Sequence, residues 1–154
     1  MNEKPDTAIP PETVRGPALS SKEEKISGGV PIDVADSTWE QVVERAGKPV
    51  VVMYHSPACS FCHQMEPAFR NFAGEYNDTV LFARLNILSS QWTAERYGVR
   101  GTPTFQVFCK GKPVRELVGA VYPALLKKMI DDVLLHEKEC ADKPMIDYEI
   151  TGYG

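Results

Sequence analysis

In the stretch His55-Ser-Pro-Ala-Cys59-Ser-Phe-Cys62-His63, two residues separate a pair of cysteines and a histidine follows directly behind. Such a pair can cycle between a dithiol and a disulfide, or it can supply half of a zinc site. With the trailing histidine it can also attach a c-type haem. The other two cysteines, Cys109 and Cys140, lie far downstream. They and the histidines offer zinc ligands at no familiar spacing. The elements that position the pair must decide among these chemistries.

The chain has 154 residues, 43% of them hydrophobic and 25% charged, which fits one globular domain with a real core. A net charge of −4 gives no electrostatic case for nucleic acid or an anionic membrane surface. No apolar run approaches the roughly 18 residues needed to span a bilayer. The opening MNEKPDTAIPPETVRG carries acids and prolines but no apolar core of a secretory signal, so a cytoplasmic location is expected. Four cysteines are too few for a disulfide-stapled secreted domain, and in a reducing compartment a Cys-x-x-Cys pair reads as catalytic or metal-binding.

Residues 1–29 are rich in Pro, Gly, Ser and charge and read as a flexible leader, with Lys22 to Lys25 a solvated run. Val30 to Val34 reads as a short strand. Asp36 or Ser37 is then expected to cap a helix carrying Trp39, Val42, Val43 and Ala46. Pro49 to Tyr54 is a continuous apolar run, the pattern of a strand buried on both faces. From Cys59 onward, Met65, Phe69, Phe72, Ala73 and Tyr76 trace a helical face, which Pro67 is expected to kink. Thr79 to Ile87 follows as a second core strand, and a short helix with Trp92, Ala94 and Tyr97 ends at Gly98. Thr104 to Cys109 and Pro113 to Val118 form a hairpin around Lys110-Gly111-Lys112. Tyr122 to about His136 is a last amphipathic helix, and 138–154 is a tail without periodicity.

These elements imply an α/β fold, a mixed sheet flanked by helices, over 30–137. The cysteine pair then falls at the end of a central strand, on the first turn of a helix. Unpaired N–H groups and the helix dipole there favour a thiolate over a thiol. Cys59 faces that turn as the attacking sulfur, and Cys62 is shielded one turn on. The apolar, continuous flanking strands leave no open pocket for haem. A reversible disulfide is therefore the favoured reading of the pair.

With those segments placed, the chain resembles the thioredoxin family over roughly residues 30 to 136. The resemblance rests on VVVMYHSPACSFC with Pro67 downstream, FARLNI, AERYGVRGTPTFQVFCKGKPV, and VGA at Val118 to Ala120. It implies a thioredoxin fold, a central mixed β-sheet flanked by α-helices. It implies a cis peptide before Pro103, lying against the cysteine pair and keeping metal off it, with Thr102 offering backbone groups to an extended substrate strand. Ser60, Phe61 and Gly119 become substrate-facing, and His55 lies against the site.

Several positions depart from the family pattern. The family's commonest site reads Trp-Cys-Gly-Pro-Cys, and here Ala58-Cys59-Ser60-Phe61-Cys62 stands there. His55 takes the place of an aromatic residue. Met53 takes the place of a buried acid, removing the usual proton acceptor for the second thiol. Arg84 matches a lysine, and Leu88 an acid.

The resemblance implies a thiol–disulfide oxidoreductase, catalytic through Cys59 and Cys62. It implies no cofactor and no bound metal, disulfide-containing protein substrates, a recycling reductase or small dithiol, and a monomer. The alternative is a thioredoxin-fold adaptor with little redox turnover. His63 and His136 read as surface residues, Cys109 and Cys140 as bystanders, and Trp39 and Trp92 as core or half-buried.

Overall fold

A computed structural model describes residues 29–136 and 146–147. In chain order the elements are β1 (Ile32–Val34), a single π-helical turn (Glu40–Glu44), β2 (Val50–His55), α1 (Ser60–Glu75), β3 (Leu81–Asn86) and α2 (Gln91–Arg96). They continue with β4 (Thr104–Cys109), β5 (Lys112–Val118), α3 (Pro123–Leu135) and β6 (Ile146–Asp147). The expected leader, Cys140 and most of the expected tail lie outside the described residues.

The apolar run of β2 sets the architecture. Side chains alternate across a strand, so Val51 and Met53 enter one core while Val50, Val52 and Tyr54 enter the other. Both faces must then be covered. Helices α1 and α3 cover the first with Met65, Phe69, Ala73, Leu126, Met129, Ile130 and Val133. Phe69 is fully buried, its ring 5.1 Å from that of Phe82 and 6.0 Å from that of Phe105. Truncating such a side chain to Ala costs about 3–5 kcal/mol. The second face is closed by Trp39 and Val43, with Tyr97 packed against them.

The sheet runs β1-β3-β2-β4-β5-β6. β1 and β2 lie parallel to β3, β4 is antiparallel to β2 and to β5, and β6 is parallel to β5. The register matters for chemistry. Tyr54 pairs with Thr104, and Thr104 pairs with Val118. The exit of β2, the entry of β4 and the exit of β5 therefore adjoin, gathering three loops at one end of the sheet.

Several expectations need correction. The helix expected around Trp39 is one π turn, marked by the Arg45 N–H donating to the Glu40 carbonyl at 3.0 Å. Asp36 does not cap it. Its carboxylate accepts the N–H and hydroxyl of Thr93, at 2.9 and 2.6 Å, serving the first turn of α2, which lies 57 residues on. Trp92 is exposed, not half-buried. The hairpin turn is only Lys110-Gly111, both at positive φ (54° and 84°), the backbone that suits a two-residue turn between twisted strands. β6, within the unpatterned tail, adds a two-residue strand to the sheet edge.

Candidate active site

Cys59 and Cys62 are joined as a disulfide, with Cα atoms 5.3 Å apart. Cys59 occupies the N-cap of α1 in an extended conformation, and its Sγ accepts the Cys62 N–H at 3.1 Å. The sulfur thus takes the place of the side-chain oxygen that usually caps a helix. That N–H and the helix dipole both favour negative charge on Sγ once the bond is reduced. The two sulfurs differ in access: Cys59 is half-buried, while Cys62 is 3% exposed.

On one flank, Ser60 and Phe61 stand exposed on the first turn of α1. The Thr102–Pro103 peptide is cis, with Pro103 buried and Thr102 half-buried. Gly119 donates its N–H to the Pro103 carbonyl at 2.7 Å and has φ +98°, a backbone that disfavours any residue with a Cβ. Thr104 Oγ1 donates to the Gly101 carbonyl at 2.7 Å, bracing the same loop. The register described above brings these residues together at the end of the sheet that carries the disulfide.

The other flank is charged. A cavity of about 410 Å³ is lined by His55, Cys62, His63, Glu66, Arg70 and Arg84, among others. Arg84 projects from β3 beside Met53 of β2, its register partner. Its Nε donates to Asp33 Oδ1 at 2.9 Å and its Nη1 to Glu66, which also receives Arg70 at 3.1 Å. Burial lowers the pKa of His55 below its ordinary 6.5, and the Arg84 charge lowers it further, so the imidazole is neutral near pH 7. His63 is exposed, its Nε2 3.3 Å from the Pro57 carbonyl.

The sequence pointed to Cys59, Cys62, Thr102, Pro103, Ser60, Phe61, Gly119 and His55, and it missed Glu66, Arg70 and Asp33. One signal was available. Glu66 follows Cys62 by four residues, which on a helix puts both on one face. The fully buried Met53 packs in the apolar core under α1, so the carboxylate expected from the family pattern is absent at that position. Cys109 is buried and disulfide-bonded rather than a bystander thiol. Among the described residues, no group of three His, Cys, Asp or Glu side chains could hold a metal ion. Also among them, no helix is long and apolar enough to cross a membrane.

The thioredoxin family model matches residues 30–132. The chain is 39% identical to the chloroplastic M-type thioredoxin of Brassica napus over 69% of its own length and 59% of the relative's. For chloroplastic thioredoxin M2 of Arabidopsis thaliana these figures are 36%, 66% and 54%. For the thioredoxin of Pseudomonas aeruginosa they are 34%, 65% and 93%. The chain thus spans less than two thirds of the two plant relatives but nearly all of the bacterial one. The matched region runs from just before β1 into α3 and includes both flanks of the disulfide, so the chain belongs to the thioredoxin family.

Proposed function

We propose that the protein is a thiol–disulfide oxidoreductase acting on disulfide-containing proteins. One observation carries this reading: a disulfide at a helix N-terminus whose first sulfur accepts a backbone N–H. In the reduced protein the Cys59 thiolate attacks a substrate disulfide, forms a mixed disulfide and expels one substrate thiolate. Cys62, as thiolate, then attacks Cys59 Sγ. The mixed disulfide breaks, the Cys59–Cys62 bond forms, and the second substrate thiolate leaves. The substrate gains two electrons and the protein loses two, so a reductase or small dithiol must return the protein to its reduced form.

The substrate strand lies over Phe61, beside Ser60, Thr102 and Gly119. Thr102 supplies backbone groups, and the bare Cα of Gly119 admits close approach. We keep the cytosol as its location. The plastid named for two relatives is the other outcome of localising a tagged chain.

Reduction of insulin disulfides by dithiothreitol, with and without the protein, tests the activity. Acceleration that disappears in Cys59→Ser is expected. Equal rates for the wild-type protein and dithiothreitol alone would leave only the adaptor reading.

A further inference from the structure

We propose that His55 is the base that takes the proton from Cys62, and that Glu66, anchored by Arg84, is a positioning residue that compensates the imidazolium this creates. The proposal rests on the dithiol reading above and adds the proton's route. A thiol must ionise before it attacks, and burial disfavours the thiolate. Cys62 is nearly inaccessible, and Met53, which stands where the family pattern has a buried acid, accepts no proton. The base must therefore come from the walls of the cavity that reaches this cysteine. Its titratable side chains are His55, His63, Glu66, Arg70 and Arg84.

Elimination leaves one. Glu66 is engaged by two guanidiniums, Arg84 and Arg70, and is held away from a free role. His63 lies on the exposed side of α1, its Nε2 near the Pro57 carbonyl. Both arginines are permanently charged. His55 ends β2 immediately before the active-site loop, is half-buried, and among the described residues its ring makes no side-chain hydrogen bond. It is neutral near pH 7, the state required of a proton acceptor.

The charges around His55 explain why Glu66 belongs to the device. Arg84 and His63 disfavour the imidazolium, while Asp33 and Glu66 favour it. Arg84 bridges the two carboxylates, from β1 and from α1, and fixes both beside His55. When Cys62–SH gives its proton to the imidazole, the positive charge on His55 finds these carboxylates already in place. The Cys62 thiolate attacks Cys59 Sγ, and the departing substrate thiolate collects a proton from His55 or from water. The cycle then closes.

The test uses the full reduced chain and a peptide disulfide labelled on the half that stays in the adduct. Rapid mixing times adduct formation, and appearance of the labelled free thiol times release. His55→Ala is expected to slow release by on the order of a hundredfold relative to adduct formation, the usual scale of acid–base assistance, with the adduct visible on a non-reducing gel. His55→Gln repeats the measurement with less loss of packing. Glu66→Gln should slow release less, lower the His55 titration midpoint read by NMR, and move the acid limb of the release profile to lower pH. Arg84→Gln should move both upward. A merely structural role for Glu66 or Arg84 would leave the midpoint unmoved. If both His55 variants release at the wild-type rate, water is the acceptor and the proposal is overturned. An unmoved midpoint in Glu66→Gln removes Glu66 from it. Absence of any adduct in the wild-type protein would instead sink the dithiol reading itself.

Discussion

The two flanks of the disulfide are built from different materials. On the Phe61 side the surface offers an exposed aromatic ring, a buried proline and a glycine, with no charged group among the residues that define it. On the His55 side a cavity of about 410 Å³ is walled by histidines, a glutamate and arginines. The first flank is suited to docking a chain through backbone and apolar contact. The second is suited to managing charge. Thiol–disulfide exchange needs both, at different moments, and the fold gives each sulfur the surroundings its own step requires. In the proposed reaction Cys59, which is half-buried, is the sulfur that meets the substrate. Cys62, which is buried, shares its cavity with His55, Glu66 and Arg84.

Exchanging the sulfurs' roles is the most direct way to break this comparison. Cys59→Ser should reduce insulin turnover to the rate of dithiothreitol alone, with no adduct formed. Cys62→Ser should also stop turnover but accumulate the mixed disulfide, which a non-reducing gel separates from the first outcome. Identical behaviour of the two variants would erase the distinction between attacking and resolving sulfurs.

A smaller effect sharpens the docking side. Phe61 is 54% exposed on the free protein, so substrate can cover only part of its ring. Losing about 1.4 kcal/mol of that burial in Phe61→Ser predicts a roughly tenfold fall in kcat/KM for insulin. The release step should be untouched. A change confined to release would assign Phe61 to the wrong flank.

The smallest expected effect concerns stability and pH. Burial holds the folded-state pKa of His55 below 6.5, so the unfolded chain binds the proton more readily. His55 therefore costs no stability above 6.5, and stability falls as pH drops from 6.5 towards the folded-state value. Urea midpoints above and below that window should show the fall in the wild-type protein and a smaller fall in His55→Gln. Equal falls would mean that the imidazole is as well solvated folded as unfolded.

The docking flank was largely legible in the sequence, and the charged flank was not. Strand β4 falls on Thr104–Cys109 as read, because an apolar run closed by Lys-Gly leaves little freedom. The cysteine spacing, the preceding buried strand and Gly101-Thr-Pro-Thr are local patterns. The Asp33–Arg84–Glu66 bridge joins β1, β3 and α1, and only tertiary register brings those elements together. Arg84 stood out as the match for a lysine, yet its acidic partners are 51 and 18 residues away. Asp36 misled for the same reason, since a capping residue next to one helix serves another 57 residues on. Trp92 misled differently. Its apolar bulk argues for burial, but it extends from a six-residue helix whose buried positions are Thr93 and Ala94.

The sheet register also gives the molecule a front and a back. The reactive loops share the end of β4 at Thr104, and the Lys110-Gly111 turn closes the other end, at about 3.3 Å per residue roughly 20 Å away. Lys110 and Lys112 are both exposed there. Immobilised on a bead or an electrode through those amines, the protein would point its redox pair outward, free to meet macromolecules in solution.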